Sequence, residues 1–513
     1  MLQHTYFKEL LDLYPSLGAF LGHRDHDDVI ENPLSPSFLR KEREFIRSYL
    51  RDVRGLNRKT LRDEAFEWFL KHCQENNFAI YLPLTPFDNY ITNLIFMSRE
   101  FYPKNTDNLV KRYHCMIDIM DACIIRMQQG IQKGIVLPRK MCLLLLKDLK
   151  QFYKNKVYVI HGTHIKGYQE GLLRVIRFIQ NDYLKHCVDT MGLCHLPKGK
   201  EVYKQLIVQH STLTISPQEV FRYGLTEVDR LLKEFNKLQI RMGHGGMLSE
   251  FHKYMMASPL HYLKSKDEVL RTYRRLRQRV HSEVVKEYFH HDIIKKYDIL
   301  SIPKDIESSS VAAYYYPGNF TSGSKGRFYV NTRDLKGNPT YSMYVLSIHE
   351  GSPGHHFQFQ RMIEAGLKEH DVFAFDANGF VEGWALYVES LGKYSDTEYY
   401  GKLCFEMLRA VRLVVDVGIH YYGWSWNKAW SYMTCNIPMS EAELRSELIR
   451  YVCNPGQAVA YKLGEKVFKE LRDLYLSCGV GDVCDYHEEV LKHGIMPMDV
   501  LKRHFTNLCS SKL

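Results

Sequence analysis

The sequence predicts a mainly α-helical protein, a large helical array that carries one small antiparallel β-sheet. Apolar residues recur along single helical faces through most of residues 37–300. Between residues 308 and 342, aromatic and β-branched residues instead flank a Gly/Ser-rich turn, as expected of paired strands. Helical patterning then returns and continues to the C-terminus. These two changes of pattern define the predicted fold class.

The composition is that of an ordinary globular protein. Of the 513 residues, 45% are hydrophobic and 25% are charged. The net charge of +10 invites a comparison with nucleic-acid binders, but the only dense basic cluster lies at 271–279. Because no groove-fitting element or stacking platform accompanies that cluster, we expect no nucleic-acid partner.

The predicted helices follow one another with few breaks. The first begins at a Ser-Pro start in SPSFLRKEREFIRSYLRDV and spaces its apolar residues roughly along one face. Comparable faces recur in 109–129, 138–153, 167–184, 216–242 and 266–289. We expect two closely packed regions around one cleft, which can count as one domain: residues 1–300 as one wall and 301–513 as the catalytic region.

The predicted sheet occupies a short segment ahead of the best motif in the chain. Val311 and residues 314–316 precede the Gly/Ser-rich turn, and residues 328–330 follow it. An Asn-Pro pair at 338–339 then ends the sheet and leads into the next helix.

The predicted location is cytoplasmic or another reducing intracellular compartment. The N-terminal stretch MLQHTYFKELLDLYPSLGAFLG lacks the basic start, apolar run and cleavage site of a signal peptide. No window reaches the roughly 18 apolar residues of a membrane span. The twelve cysteines contain no C-x-x-C pair. The oligomeric state is left open.

The stretch SIHEGSPGHHFQFQ, residues 347–360, is the strongest chemical signal. It begins like the zinc-protease motif H-E-x-x-H, in which two histidines one helical turn apart bind the metal. The residue four positions after His349 is Pro353, which cannot bind a metal and interrupts a regular helix. If a kink or a π-type bulge absorbs the two extra residues, His355 becomes the second histidine ligand.

A regular helix would favour His356 instead. Each residue advances about 100° around the axis, so a residue seven positions after His349 lies only about 20° away. We favour His355 and keep His356 as the alternative. Glu350, directly after the first ligand, is the predicted general base.

Zinc also needs a third protein ligand. The segment NGFVEGWALYVESLG, residues 378–392, predicts an amphipathic helix with Glu382 and Glu389 on one face. Inward carboxylates in such an apolar helix are costly unless they bind a metal or a partner. Glu382 is therefore the predicted third ligand of one Zn²⁺ per chain, and Glu389 the acceptor that orients a ligand histidine.

Several motifs together resemble a bacterial family. PGNFTSGSKGRFYVNT, HEGSPGHHFQ, VEGWALYVESLG and RLVVDVGIHYYGWS…YVCNPGQAVAYKLG are similar to the "domain of unknown function 885" family, a zincin-like group in the clan of the thermolysin-type metallopeptidases. YPSLGAFLG, GIQKGIVLP and GLTEVDRL occur in the family's order, so the likeness covers nearly the whole chain.

The resemblance implies a mostly helical metallohydrolase with a small sheet beside a gluzincin-like active-site helix. His349, Glu350, His355, His356 and Glu382 match the family's motif positions. Two departures bear on location and on the pocket wall. Members are often secreted or lipid-anchored, whereas this chain shows no leader; and it has Gly-Ser at 351–352, where the family usually has Ala followed by a larger residue.

Other residues in family-like segments are candidates for stabilising an oxyanion. They are His420, Arg450, Tyr451 and Tyr461, and the planar fork of Arg450 also suits a substrate carboxylate.

The strand GRFYVN, residues 326–331, is a further candidate for substrate binding. Its edge is expected to pair with an extended peptide, with Tyr329 and Asn331 as substrate-binding residues.

Three functional hypotheses follow from these residues. The first is a zinc metallopeptidase acting on short peptides, because the helical mass should restrict access to the cleft. The second is a catalytically silent protein that keeps the fold for binding or structure. The third is a metal-dependent hydrolase of a non-peptide amide or ester. The residues do not separate the first from the third, nor exopeptidase from endopeptidase action.

Overall fold

A computed structural model describes most of the chain. The described residues are 2–23, 25, 27–73, 78–91, 105–160, 163–292, 296–303, 312–318, 324–375 and 377–510. All predicted site residues fall within these ranges. Val311 and most of the predicted Gly/Ser-rich turn lie outside the described residues.

The N-terminal part is an array of helices, and the six segments predicted to be helical are confirmed. Ser35 caps the third helix by accepting a hydrogen bond from the backbone of Phe38, and Ser216 and Glu219 form a capping box at the ninth. The helices are α1 Leu2–Leu13, α2 Pro15–Leu21, α3 Pro36–Arg54, α4 Leu61–His72, α5 Thr106–Lys133, α6 Arg139–Lys154, α7 Lys166–Phe178, α8 Gly199–Ser211, α9 Pro217–Arg241, α10 Leu248–Ala257 and α11 Lys266–Val280.

Shorter helical turns extend or join these helices. The π-turns Ile179–Tyr183 and His281–Val285 continue α7 and α11, and each is followed by one more helical turn. Those last turns are Leu184–His186 and Lys286–Tyr288, and the 3₁₀ turns are Phe78–Tyr81, Leu193–His195, Pro259–His261 and Leu335–Gly337.

The C-terminal part is also helical, so the mainly α fold class is confirmed. Its central helix, α16 (Asp396–His420), is buried along most of its length. It contacts α9, α12 (Thr340–Glu350), α18 (Glu441–Cys453) and α19 (Ala460–Ser477). None of the described helices is both long enough and apolar enough to cross a bilayer. The helices are α12 Thr340–Glu350, α13 His355–Glu364, α14 Glu369–Phe373, α15 Asn378–Glu389, α16 Asp396–His420, α17 Trp426–Asn436, α18 Glu441–Cys453, α19 Ala460–Ser477, α20 Val483–Leu491 and α21 Met498–Ser510.

The predicted small sheet is present, but it is mixed rather than antiparallel. A two-stranded hairpin, β1 Val159–Ile160 and β2 Thr163–His164, lies elsewhere. In the three-stranded sheet, β4 Ala313–Tyr316 pairs antiparallel with β5 Arg327–Val330, and β3 Asp298–Ser301 pairs parallel with β5. The strand order β3-β5-β4 puts β5 in the centre. β3 was missed because its four residues show no clear alternation of apolar and polar side chains.

The largest apolar core draws on both predicted regions. It packs Phe69 and Tyr203 from the first region together with Trp384 and Phe468 from the second. The boundary at residue 300 stays a prediction, and the shared core agrees with the expectation that the two regions pack closely.

A buried ionic network joins three helices around Lys462 of α19. The ammonium group, fully buried, lies 2.8 Å from Glu406 of α16, 3.0 Å from Glu227 of α9 and 2.7 Å from Glu465 of its own helix. Arg230 also contacts Glu406. Burial alone would raise the pKa of Glu406, but the surrounding cations hold this pKa well below its usual range.

Candidate metal centre

The predicted histidine helix is broken rather than bulged. α12 ends at Glu350 and α13 begins at His355, so the two candidate histidines lie on different helices. The intervening turn folds tightly against the end of α12: the N–H of Gly354 donates to the carbonyl of Ile348 at 2.9 Å. A β-carbon at Gly354 would lie 1.9 Å from the carbonyl oxygen of His349, so only glycine fits. The proline and this close approach end one helix and start the next.

The turn is also held by the helix that carries the third candidate ligand. The indole Nε1 of Trp384, on α15, donates a hydrogen bond to the carbonyl oxygen of Pro353 at 2.9 Å. Trp384 is fully buried, so this bond ties the turn to α15 from within the core. The predicted helix over 378–392 is thus confirmed as α15, Asn378–Glu389, and it packs against the turn between α12 and α13.

His349 and His355, both buried, form a compact cluster with the partly buried Glu382. Oε2 of Glu382 lies 3.6 Å from Nε2 of His349 and 3.5 Å from Nε2 of His355. The two imidazole rings are nearly perpendicular, with centroids 4.9 Å apart. The described residues contain two other groups of metal-ligand type, around Glu489 and around His290, and both are more exposed.

Two separations within the cluster are close to those between the ligands of a zinc ion. Ligand atoms about 2.0–2.1 Å from a tetrahedral zinc ion lie about 3.3–3.5 Å from one another. The measured separations of 3.5 and 3.6 Å are close to these and are too long for good hydrogen bonds. Oε2 of Glu382 is buried and has no hydrogen-bond partner among the described residues. These two separations leave room for a metal ion between Glu382 and the histidines.

Glu389 lies where it can orient His349. Its Oε1 is 2.8 Å from Nδ1 of His349, which leaves Nε2 directed at Glu382. Burial lowers the pKa of His349, but the two glutamates outweigh burial and raise this pKa to about 9. Burial likewise raises the pKa of Glu382, yet His349 and His355 hold it well below its usual range. The position between the two carboxylates thus favours a positive charge.

His356, the alternative ligand, faces elsewhere. Its Nδ1 lies 2.9 Å from the hydroxyl of Tyr315, and its ring packs against Tyr297 with centroids 4.6 Å apart. The side chain is fully buried in this contact. Of the two neighbouring histidines, only His355 shares the cluster with Glu382.

Separate replacement of the two histidines should give opposite results. We expect His355→Asn to lose bound zinc, because one of three ligands is removed, and His356→Asn to retain it. Elemental mass spectrometry of the folded, purified variants measures the difference. Zinc retained by His355→Asn and lost by His356→Asn would transfer the ligand role to His356.

The cluster opens into a cavity of about 750 Å³. His349, Glu350, His355 and Glu382 all line this cavity. Its other walls come from β4, α16, α18 and α19 and include Tyr314, Tyr315, Arg409, Arg412, Glu443, Glu447, Arg450 and Tyr461. A second cavity of about 780 Å³ lies between α1, α2 and the segment after α13, remote from the cluster in its lining residues.

Two of the predicted oxyanion candidates lie at the cavity. Tyr461 and Arg450 line it, and Nη2 of Arg450 is 3.2 Å from the hydroxyl of Tyr461. Burial raises the pKa of Tyr461, and the nearby Glu382 raises it further. The hydroxyl therefore keeps its proton and can act as a donor in the cavity that Glu382 also lines.

The other two candidates are corrected by the structure. His420 is fully buried, with Nδ1 accepting from the backbone of Leu193 at 3.2 Å and Nε2 bonded to the carbonyl of Tyr451 at 2.8 Å. Tyr451 is also fully buried and donates its hydroxyl to Glu447 at 2.8 Å. The polar atoms of both side chains already bond to other residues, so neither is placed to stabilise an oxyanion. Both side chains instead hold the helices together behind the cavity wall.

The predicted substrate strand is corrected as well. Tyr329 and Asn331 belong to the region of β5, which is central and has partners on both sides. Tyr329 stacks on Tyr314, and the amide oxygen of Asn331 accepts from the backbone of Arg333 at 3.2 Å. The strand that lines the cavity is β4, an edge strand of the described sheet. The aromatic pattern was detected, but its place in the sheet depends on β3.

Arg409 and Arg412 were missed as site residues. Both lie on α16 within LRAVRLVVDVGIH, a stretch that is otherwise almost wholly apolar. Charged residues on a helix that is buried on all sides are costly. Two arginines in this apolar stretch were therefore the sequence signal that could have identified them as site residues.

The fold and the cluster together define a mainly helical protein with a buried histidine–glutamate centre in a large cavity. The chain belongs to the family described as bacterial protein of unknown function (DUF885), which matches residues 15–505. No curated protein matches the chain.

Two solved structures share the fold over almost their whole length. One is the "putative lipoprotein" from Colwellia psychrerythraea, 21% identical, with a TM-score of 0.85 and 99% of each chain covered. The other is the "putative lipoprotein of unknown function" from Shewanella oneidensis, 15% identical, with a TM-score of 0.77 and 98% of this chain and 99% of the other covered.

These descriptions contradict the predicted location. Both similar structures are described as lipoproteins, which points away from a cytoplasmic or other reducing intracellular compartment. That prediction is wrong: it rested on the N-terminal stretch, the lack of a long apolar window and the cysteine spacing, and the descriptions of both structures point instead to a membrane-anchored or secreted protein.

Proposed function

We propose that this protein is a zinc-dependent metallopeptidase that hydrolyses peptide bonds of short peptides. The proposal rests on Oε2 of Glu382, which lies 3.5–3.6 Å from a nitrogen of each of two histidines and has no hydrogen-bond partner among the described residues. Zinc bound by these three groups supplies Lewis-acid chemistry, acidifying water and polarising a carbonyl group. The family resemblance to zincin-like metallopeptidases supports the same activity.

Glu350 is the proposed general base. It follows His349 directly, ends α12 and lines the cavity. Its carboxylate accepts the proton of the attacking water and passes it to the nitrogen of the leaving amine. The hydroxyl of Tyr461 donates a hydrogen bond to the oxyanion that develops on the attacked carbonyl.

Substrate positioning is assigned to β4 and Arg450. β4 lines the cavity and stands last in the described strand order β3-β5-β4, and an extended peptide backbone is proposed to bind beside it. Arg450 lies beside Tyr461 and keeps that hydroxyl in place. A half-open cavity of about 750 Å³, lined mostly by helices, suits a peptide of a few residues better than a folded protein.

Metal removal tests the proposal. A defined mixture of short peptides is incubated with the parent protein, with protein treated with a chelator, and with chelated protein to which zinc is restored; mass spectrometry reads the products. We expect cleavage by the first and third samples and none by the second. Hydrolysis of esters or non-peptide amides alone would favour the non-peptide hydrolase, whereas bound zinc without any hydrolysis would favour a silent binding protein.

A further inference from the structure

Arginines form one part of the cavity wall. Arg409 and Arg412 lie three residues apart on α16, and Arg450 comes from α18. All three line the cavity that contains the candidate metal ligands. Arg409 and Arg412 are almost completely buried, with 6% and 5% of their surfaces exposed.

The acidic residues that contact these arginines carry less negative charge than the arginines carry positive charge. Glu447 binds Arg412 through Oε2, at 2.8 Å from Nη2, and Arg450 through Oε1, at 3.3 Å from Nη1. One carboxylate thus serves two guanidinium groups. Burial raises the pKa of Glu447, but Arg412 and Arg450 lower it to about 2, so the residue contributes one full negative charge. This wall keeps an excess of positive charge.

Arg409 has a still weaker partner. Its Nη2 lies 3.7 Å from Oε1 of Glu389, which is already hydrogen-bonded to His349. Among the described residues, Nε and Nη1 of Arg409 and Nη1 of Arg412 have no hydrogen-bond partner. Buried charged donors left unsatisfied are costly, and a bound anion removes this cost.

Aromatic rings hold both guanidinium groups in place. Arg409 lies 4.8 Å from the ring centroid of Phe405, and Arg412 lies 4.8 Å from that of Tyr461. Arg409 contacts Glu389, the partner of His349, whereas Arg412 packs on Tyr461, which lines the same cavity as Glu382. One side chain, Glu389, thus separates Arg409 from the candidate metal ligand His349.

We propose that Arg409 and Arg412 bind the C-terminal carboxylate of the substrate, so that the protein removes residues from the C-terminal end of short peptides. The planar fork of arginine matches a carboxylate bidentately. A singly charged group suits this wall better than a phosphate dianion, because the cavity is also faced by Glu350, Glu382, Glu443 and Glu447. This inference rests on the proposed peptidase function and names its substrate class.

The position of the pair explains why the end of the peptide is favoured. A residue of extended chain spans only about 3.3–3.6 Å. Because only Glu389 separates Arg409 from His349, we assign a carboxylate bound by this pair to the residue that follows the cleaved bond. Hydrolysis consumes one water and releases that residue as an amino acid.

The test is a binding measurement that does not require turnover. Isothermal calorimetry compares N-acetyl-leucine with N-acetyl-leucine amide, which differ only in the terminal carboxylate. We expect the acid to bind the parent at least about tenfold more tightly than the amide, as charge-assisted hydrogen bonds require. Arg409→Met and Arg412→Met should weaken binding of the acid towards that of the amide and leave the amide unchanged.

Matched variants keep the result interpretable. Arg445→Met, on the exposed face of α18, removes an arginine outside the cavity and should change neither affinity. Arg409→Lys and Arg412→Lys retain the charge without the fork and should bind the acid with intermediate affinity. If the methionine variants unfold, which circular dichroism would show, the lysine variants decide the question.

Several results would overturn the inference. Equal binding of acid and amide by the parent would do so, as would equal weakening by Arg445→Met. Tighter binding of N-acetyl-aspartate α-amide, whose only carboxylate is on the side chain, would assign the arginines to an acidic side chain. A peptide cleaved equally as acid and as C-terminal amide would leave the peptidase standing without this preference. Preferred binding of the acid without cleavage would leave the carboxylate site standing without the peptidase.

Discussion

Replacing Glu350 with glutamine should reduce peptide hydrolysis by at least about a hundredfold while zinc remains bound. General-base catalysis typically contributes about 10² to 10⁴-fold, and glutamine keeps the shape of the side chain but cannot accept the proton. Glu350 is outside the three-residue cluster, so the metal should be unaffected. Initial rates on the peptides that the parent cleaves, together with zinc content, measure both effects.

Glu443 provides a control for this substitution. It lines the same cavity but lies at the start of α18, where it forms a capping box with Ser440. Glu443→Gln can still accept the capping hydrogen bond and should cleave at nearly the parental rate. Parental activity in Glu350→Gln would refute the proposed mechanism.

Removal of the third ligand should abolish zinc binding. We expect Glu382→Ala to contain almost no zinc under conditions in which the parent holds one ion per chain, because two histidines alone make a weak and incomplete site. The alanine also removes a buried charge whose Oε2 has no hydrogen-bond partner among the described residues, so the fold should tolerate the change in the apo state. Elemental analysis after dialysis against a fixed zinc concentration measures the effect.

Glu389→Gln is the graded comparison. Glu389 touches His349 but is not one of the three clustered groups, and loss of such orienting partners typically weakens metal affinity about 10- to 100-fold. The expected order of zinc affinity is parent, Glu389→Gln, Glu382→Ala. Equal zinc content in Glu382→Ala and the parent would remove Glu382 from the ligand set.

The parts of this protein that sequence predicted well are those that depend on local pattern. Glu382 and Glu389 lie on one face of α15 because seven residues make nearly two helical turns. The long helices carry apolar faces and, in cases such as Ser216 and Glu219, capping residues that mark their starts. His355 was favoured over His356 by the disruption that Pro353 must cause, and the structure places His355, not His356, in the cluster.

Local pattern could not predict which helices and strands contact one another. β3 joins β5 in parallel after a long connection, and this pairing makes the predicted edge strand a central one. His420 is polar in sequence whether it faces a cavity or bonds to backbone groups, and only the packing of α16 against neighbouring segments decides between them. The same holds for Arg409 and Arg412, whose cavity is closed by helices remote in sequence.

The ionic network around Lys462 affects how accurately the cavity is assembled. Apolar side chains attract without direction, so helices that pack through them alone can rotate or slide at little cost. A buried lysine that contacts Glu406, Glu227 and Glu465 opposes such rotation or sliding, because loss of one partner from such a network costs about 3–5 kcal/mol. Mispaired arrangements of α9, α16 and α19 are thereby rejected. Since α16 carries the two arginines and α19 carries Tyr461, charge matching in this network is expected to keep the proposed substrate-binding groups aligned.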